Sequence, residues 1–135
     1  MGAWGVRAFD NDTASDWVIE LAEVDDLSLV EEALTEAESV ADDYLELDAA
    51  CNALAACEVL ARLRGSPGYS DSSTEPVDAW VASHAMTPTP ALLARAVAVT
   101  ERVLAPDSEL SELWEEGDSA RWRQAVGELR GRLLA

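Results

Sequence analysis

The stretch from about Glu46 to Leu63 constrains the fold of this chain more than any other segment. It reads ELDAACNALAACEVLARL, and it is alanine-rich and almost uniformly small and apolar. A helix that is apolar around much of its circumference belongs in the interior of a bundle. The sequence therefore predicts a central helix near 46–63, with other helices packed around it.

Further helical patterns, each with start or stop signals, flank this segment. The first shows the i, i+3, i+4, i+7 spacing of one buried helix face, carried by Ala14, Trp17, Val18 and Leu21. Ser28 and Glu31 form the pattern of a capping box that opens a second helix. In TPTP, Thr89 is expected to cap a long amphipathic helix and Pro90 to take its first position. The remaining helices are predicted to begin near Pro76, Ser108 and Ser119.

These patterns define the predicted fold class. The sequence shows no period-two alternation bounded by turns, which a strand would produce. We therefore predict an all-α domain, a single helical bundle of about six to seven helices. A turn-rich link, GSPGYSDSST near 65–74, joins two parts that are each small for independent folding. Residues 1–135 are thus predicted to form one domain.

Charge is the unusual feature of the composition. Twenty-seven acidic residues face nine basic ones, all of them arginine, for a net charge of −18. Sixteen acids and no base occur between Ala8 and Ala61. Such a surface repels nucleic-acid phosphates and anionic lipids, and it attracts basic proteins. The C-terminal arginines are predicted to pair with the acidic N-terminal half, within the monomer in preference to between copies; they are Arg121, Arg123, Arg130 and Arg132.

The two cysteines indicate a reducing compartment. Cys51 and Cys57 lie six residues apart in one predicted helix, a rise of about 9 Å that places the thiols on different faces, too far apart for a disulfide. The longest apolar segment, ALLARAVAV, is short and is interrupted by Arg95, so we expect no membrane span. No secretory signal pattern opens the chain, and we expect a cytoplasmic protein.

The opening residues MGAWGVRAFDNDTASDW combine helix-capping types with two tryptophans. The acids and the amide suit the N-terminus of the first helix, where they accept hydrogen bonds from free N–H groups. An EF-hand calcium-binding loop that begins at Asp10 is the more specific alternative. The sixth position of such a loop would be Ser15 instead of glycine, and the twelfth would be Leu21 instead of glutamate. Capping is therefore preferred. As a candidate interaction surface we single out Trp4, Asp10, Asn11, Asp12, Asp16 and Trp114.

Several segments together resemble a known family. MGAWG, AFDNDTASDW, DLSLVEEAL, ACNALAACEVL and SELSELW are similar to a bacterial family classed only as a domain of unknown function. Its members begin MGxWG and continue with F-x-ND-x-A-x-DW. The resemblance covers nearly the whole chain and falls on Gly2, Trp4, Gly5, Phe9, Asn11, Asp12, Asp16, Trp17 and Trp114. It implies no activity, so function has to be argued from the residues.

Catalytic chemistry finds little support in the sequence. His84 is the only imidazole, and the cysteines that would complete a dyad with it lie in an apolar helix, where a thiolate is costly. Neither GxGxxG nor a P-loop occurs. We assign no catalytic, cofactor-binding or metal-ligating residue and no cofactor, and we favour a binding protein over an enzyme.

The leading functional hypothesis is a module that engages a basic protein through its acidic surface. An immunity-like or antitoxin-like neutraliser of a basic nuclease is one concrete form. Two alternatives stay open. One is a small-ligand or divalent-cation binder, or an enzyme, with an inter-helix pocket lined by Trp4, Asp16 and nearby carboxylates. The other is a structural assembly module that forms a stable oligomer.

Overall fold

A computed structural model describes residues 5–40 and 43–134, and the description below refers to these residues. They form seven helices and one isolated β-bridge, which confirms the predicted all-α fold. The helices are α1 (Asp12–Leu21), α2 (Ser28–Ser39), α3 (Leu47–Leu63), α4 (Glu75–Ser83), α5 (Pro90–Leu104), α6 (Glu109–Glu115) and α7 (Ser119–Leu134). Within these ranges no helix has the length and apolar character needed to cross a membrane.

Helix α3 is the centre of the bundle, as its composition predicts. It buries 13 of its 17 residues and packs against each of the other six helices described. Its alanines present little side-chain volume, so neighbouring helices approach it closely on several sides. The helix ends just before Gly65, and the turn-rich link that follows leads to α4. That residues 1–135 form one domain stays a prediction.

Two of the predicted helix caps are confirmed, and one is wrong. The side-chain oxygens of Asn11 and Thr89 accept hydrogen bonds from the N–H groups of Ala14 and Leu92. Ser28, by contrast, is the first residue of α2 and makes no capping bond.

The capping box at Ser28 fails because of a nearby carboxylate. Asp26 Oδ1 accepts hydrogen bonds from the Ser28 hydroxyl at 2.6 Å and from the Ser28 N–H at 3.0 Å. An aspartate two residues upstream is a strong competitor for these donors because it is ionised and its side chain is short. The start of α2 is therefore fixed by Asp26, and its position matches the prediction although the capping residue does not.

Among the described residues the C-terminal arginines pair within the chain, as predicted, but only Arg132 reaches a carboxylate of the acidic N-terminal half. Arg130 reaches Glu101 at 3.1 Å, and Arg132 reaches Glu58 and Glu128 at 2.8 and 2.7 Å. These pairs fasten α7 to α5 and to the central helix. The exposed pair between Arg130 and Glu101 contributes little to stability. The contact between Arg132 and Glu58 is buried, so the loss of either partner would be strongly destabilising.

Candidate functional site

The structure divides the predicted interaction surface into parts. A small hollow of about 40 Å³ brings together Asn11, Asp12 and Trp114. Asp10 lines a larger neighbouring cleft, and Asp16 lines neither. Trp4 lies outside the described residues. The hollow has roughly the volume of one water molecule, so it is too small for an organic ligand.

Asn11 is committed to the start of α1. Its Oδ1 accepts from the N–H of Ala14 at 2.8 Å, and its Nδ2 donates to the carbonyl of Ala8 at 3.2 Å. Both ends of the amide are thus used for structure, which supports the capping interpretation. Over residues 5–40 and 43–134, no group of three or more His, Cys, Asp or Glu side chains is arranged to hold a metal ion.

The cysteines and the histidine do not form a reactive pair. Both thiols are free and buried. Burial raises the pKa of Cys51 to about 12 and raises the pKa of Cys57 as well, so both are protonated at neutral pH. The ring nitrogens of His84 contact Asp25 Oδ1 at 3.0 Å and the Trp80 carbonyl at 2.9 Å. Neither nitrogen is left to serve a cysteine.

The contact between His84 and Asp25 predicts a shifted titration. Hydrogen bonding to the Asp25 carboxylate, and then to the Trp80 carbonyl, raises the pKa of His84 above 6.5. The folded state is therefore stabilised fully below the unfolded pKa of about 6.5, and this stabilisation is lost as pH rises through the folded pKa. An NMR titration of this single imidazole checks the value directly. Asp25→Asn is expected to lower the pKa; an unchanged value would contradict the assignment.

A buried charged cluster, which the sequence analysis missed, lies at the centre of the bundle. The side chains of Glu58 and Arg62 are each 1% exposed and pair at 3.1 Å across one turn of α3. Arg132 reaches the same glutamate at 2.8 Å, and Arg62 reaches Asp78 at 2.6 Å. Buried charges of this kind require partners of opposite sign, and here each has at least one.

The charged cluster also holds the turn-rich link in place. Arg62 Nη2 donates to the Tyr69 carbonyl at 2.7 Å, and Arg132 Nη1 donates to the Ser66 carbonyl at 3.0 Å. These bonds satisfy carbonyls of a segment that lacks regular structure. Glu58 and Arg62 stand out in the sequence as opposite charges four residues apart in the apolar second half of α3, and this is the signal that could have revealed the cluster.

A cleft of about 680 Å³ lies beside the charged cluster. Its walls come from the segment 5–10, from α3, from the link at 68–69 and from α7. Two glycines allow the walls to approach closely. A Cβ on Gly68, whose φ is +68°, would lie 2.6 Å from Arg132 Nε, and a Cβ on Gly5 would lie 2.4 Å from Asp10 Oδ2. Gly68 is required for its positive φ, whereas a side chain at Gly5 would have to displace the Asp10 carboxylate.

The outer side of α1 forms a second candidate region. We define the acidic face of α1 as the exposed residues Asp12, Asp16, Ile19 and Glu20, together with Glu23 in the turn that follows the helix. Ile19 is 66% exposed, although it is a large apolar residue. None of the four carboxylates has an ion-pair partner in the part of the chain that the structure describes. Asp16 is thus placed in a surface setting, apart from Asn11 and Trp114.

Comparison with known proteins gives a family and no activity. No curated protein and no solved structure matches the chain. A family model described as Domain of unknown function (DUF4259) matches residues 2–125. The match spans α1 to α6 and the first part of α7, and it confirms the predicted membership of a family of unknown function. The chain therefore belongs to the DUF4259 family of domains of unknown function.

Proposed function

We propose that the protein is a binding module that docks through the acidic face of α1 onto a basic surface of another protein. The observation that carries this proposal is Ile19, a 66% exposed isoleucine among carboxylates that have no ion-pair partner within residues 5–40 and 43–134. Asp12, Asp16 and Ile19 follow the i, i+4, i+7 spacing of one helix stripe. The stripe therefore offers an apolar contact flanked by negative charge.

Each part of this face supplies a different component of binding. The carboxylates accelerate encounter with a positively charged partner and select against acidic ones. Ile19 supplies apolar area, which contributes to affinity once water is excluded at the centre of an interface. A basic nuclease neutralised in an immunity-like or antitoxin-like manner fits this chemistry, because its phosphate-binding surface is positively charged.

The proposed setting is the cytoplasm of a bacterium. The two free, buried thiols support a reducing compartment. The resemblance of the opening segments to a bacterial family supports a bacterial source. A partner in the same compartment would meet the acidic face of α1 without crossing a membrane.

The test compares three forms of the protein as bait. The first is the wild type and the second is Asp16→Asn/Ile19→Ser/Glu20→Gln, which alters the acidic face. The third, Glu32→Gln/Glu36→Gln, removes the same number of charges from exposed positions of α2 and serves as the matched control. A basic protein captured by the wild type is then purified and titrated against all three at low and high salt.

We expect the face variant to bind at least about tenfold more weakly than the wild type and the control to bind like the wild type. High salt should weaken binding by the wild type and by the control. Equal binding by the face variant and the wild type would contradict the proposal. A bait that instead forms a stable oligomer through this face and captures nothing would favour the assembly alternative. Size-exclusion chromatography of the same three forms distinguishes this case.

A further inference from the structure

The cleft beside the charged cluster has the size and the lining of a small-molecule site. Its volume of about 680 Å³ lies within the range of roughly 300–1,000 Å³ typical of ligand pockets. Leu54 and Leu129 give it an apolar part, and three arginines and three carboxylates give it a polar part. The lining is thus electrically balanced, in contrast to the net charge of −18 of the whole chain.

Tyr69 brings an unused hydrogen-bond donor to this cleft. Its hydroxyl oxygen is buried and has no hydrogen-bond partner among the residues described. Burial raises the pKa of the phenol, so the group is protonated and can donate. The guanidinium carbons of Arg7 and Arg62 lie 4.1 and 4.9 Å from the centre of the Tyr69 ring, which fixes the ring in place. Buried hydroxyls in proteins are nearly always satisfied, so this one calls for an acceptor.

The charges that line the cleft differ in how well they are neutralised. Arg132 pairs with both Glu58 and Glu128, and Glu58 also pairs with Arg62. Arg7 has no carboxylate partner within residues 5–40 and 43–134, and Arg121 approaches Asp118 no closer than 3.8 Å with 69% of its side chain exposed.

The remaining carboxylate of the lining is Asp10. Its Oδ2 accepts a hydrogen bond from the backbone N–H of Arg7 at 3.3 Å, and burial raises the pKa of the carboxyl. Among the described residues, three donors of the cleft can still bind a ligand: the Arg7 guanidinium, which stacks on the Tyr69 ring, the Arg121 guanidinium, whose pair with Asp118 is long and exposed, and the Tyr69 hydroxyl. Donors that converge on a cavity recognise oxygen acceptors, and guanidiniums select anionic ones.

We propose that this cleft binds a small organic anion, a carboxylate or a phosphate ester, through Arg7, Arg121 and the Tyr69 hydroxyl. The carbon skeleton of the ligand contacts Leu54 and Leu129. Because the net charge of the protein repels anions at long range, affinity comes from these short-range donors. The site is separate from the acidic face of α1, so the test of this proposal does not depend on the function proposed above.

The test titrates three probes into the full-length protein: glucose 6-phosphate, citrate and inorganic phosphate. Binding is followed by calorimetry and by two-dimensional NMR. The variants are Tyr69→Phe, Arg7→Gln and Arg121→Gln. Arg130→Gln is the matched control, since Arg130 is on α7 but does not line the cleft. Since the Tyr69 hydroxyl has no hydrogen-bond partner among the described residues, Tyr69→Phe is expected to unfold at a temperature no lower than the wild type.

We expect saturable binding of at least one probe, with chemical-shift changes at Arg7, Tyr69 and Arg121. Each cleft variant should weaken that binding about five- to tenfold, and Arg130→Gln should leave it unchanged. A preference for glucose 6-phosphate or citrate separates a phosphate ester from a carboxylate. Absence of saturable binding for all three probes, or equal weakening by Arg7→Gln and Arg130→Gln, would overturn the proposal.

Discussion

Glu58→Gln is expected to lower the free energy of unfolding by about 3 kcal/mol. Removing one partner of a buried ion pair typically costs about 3–5 kcal/mol, because the other charge stays buried without compensation. The lower end applies here because Arg62 keeps Asp78 and Arg132 keeps Glu128. Urea unfolding measured by circular dichroism gives the value.

The matched control is Glu101→Gln, which removes a carboxylate from the exposed pair with Arg130. An exposed pair contributes about 0–1 kcal/mol, so this variant should unfold close to the wild type. Equal losses for Glu58→Gln and Glu101→Gln would show that the charged cluster is solvated in solution. In that case the charged cluster would not hold the turn-rich link in place beside the cleft.

Local patterns predicted the helices well. The buried face of α1 consists of Ala14, Trp17, Val18 and Leu21, the residues that the periodicity selects. The central position of α3 follows from its composition alone. These predictions succeed because helical periodicity and capping depend on residues within a few positions of one another.

The capping error at Ser28 shows where local patterns stop being decisive. Two acceptors, the Glu31 carboxylate of the capping box and the Asp26 carboxylate, lie within three residues of the Ser28 N–H group. The pattern of a capping box does not rank them, whereas the backbone conformation of the turn decides in favour of Asp26.

The cleft and the long-range contacts of the charged cluster could not be predicted from the sequence, for a different reason. Glu58 and Arg132 are 74 residues apart, and their contact depends on how α7 crosses α3. Tyr69 belongs to a link with no periodicity to read. The acidic residues could not be used to locate a site, because with 27 of them no pair of carboxylates is distinctive in the sequence. An exposed apolar residue, Ile19, identified the relevant face, and exposure is a property of the folded chain.

The second large effect is expected at Trp122. Its side chain is 2% exposed and stacks on Trp114, with ring centres 6.4 Å apart and planes 7° apart. Replacing a buried tryptophan by alanine typically costs about 3–5 kcal/mol, through lost burial and the cavity that remains. Trp122→Ala should therefore reduce the unfolding free energy by this amount, measured by urea unfolding with circular dichroism.

Trp114→Ala is the informative comparison, because Trp114 is half-buried and belongs to the predicted interaction surface. We expect it to cost about 1–2 kcal/mol, from the lost aromatic contact and part of its apolar area. A cost for Trp114→Ala equal to that for Trp122→Ala would place Trp114 in the core and remove it from the candidate surface. A smaller loss of unfolding free energy would mean that the Trp114 indole, which lies beside Asn11 and Asp12, is not explained by stability alone. Trp114→Ala would then be folded well enough for binding measurements.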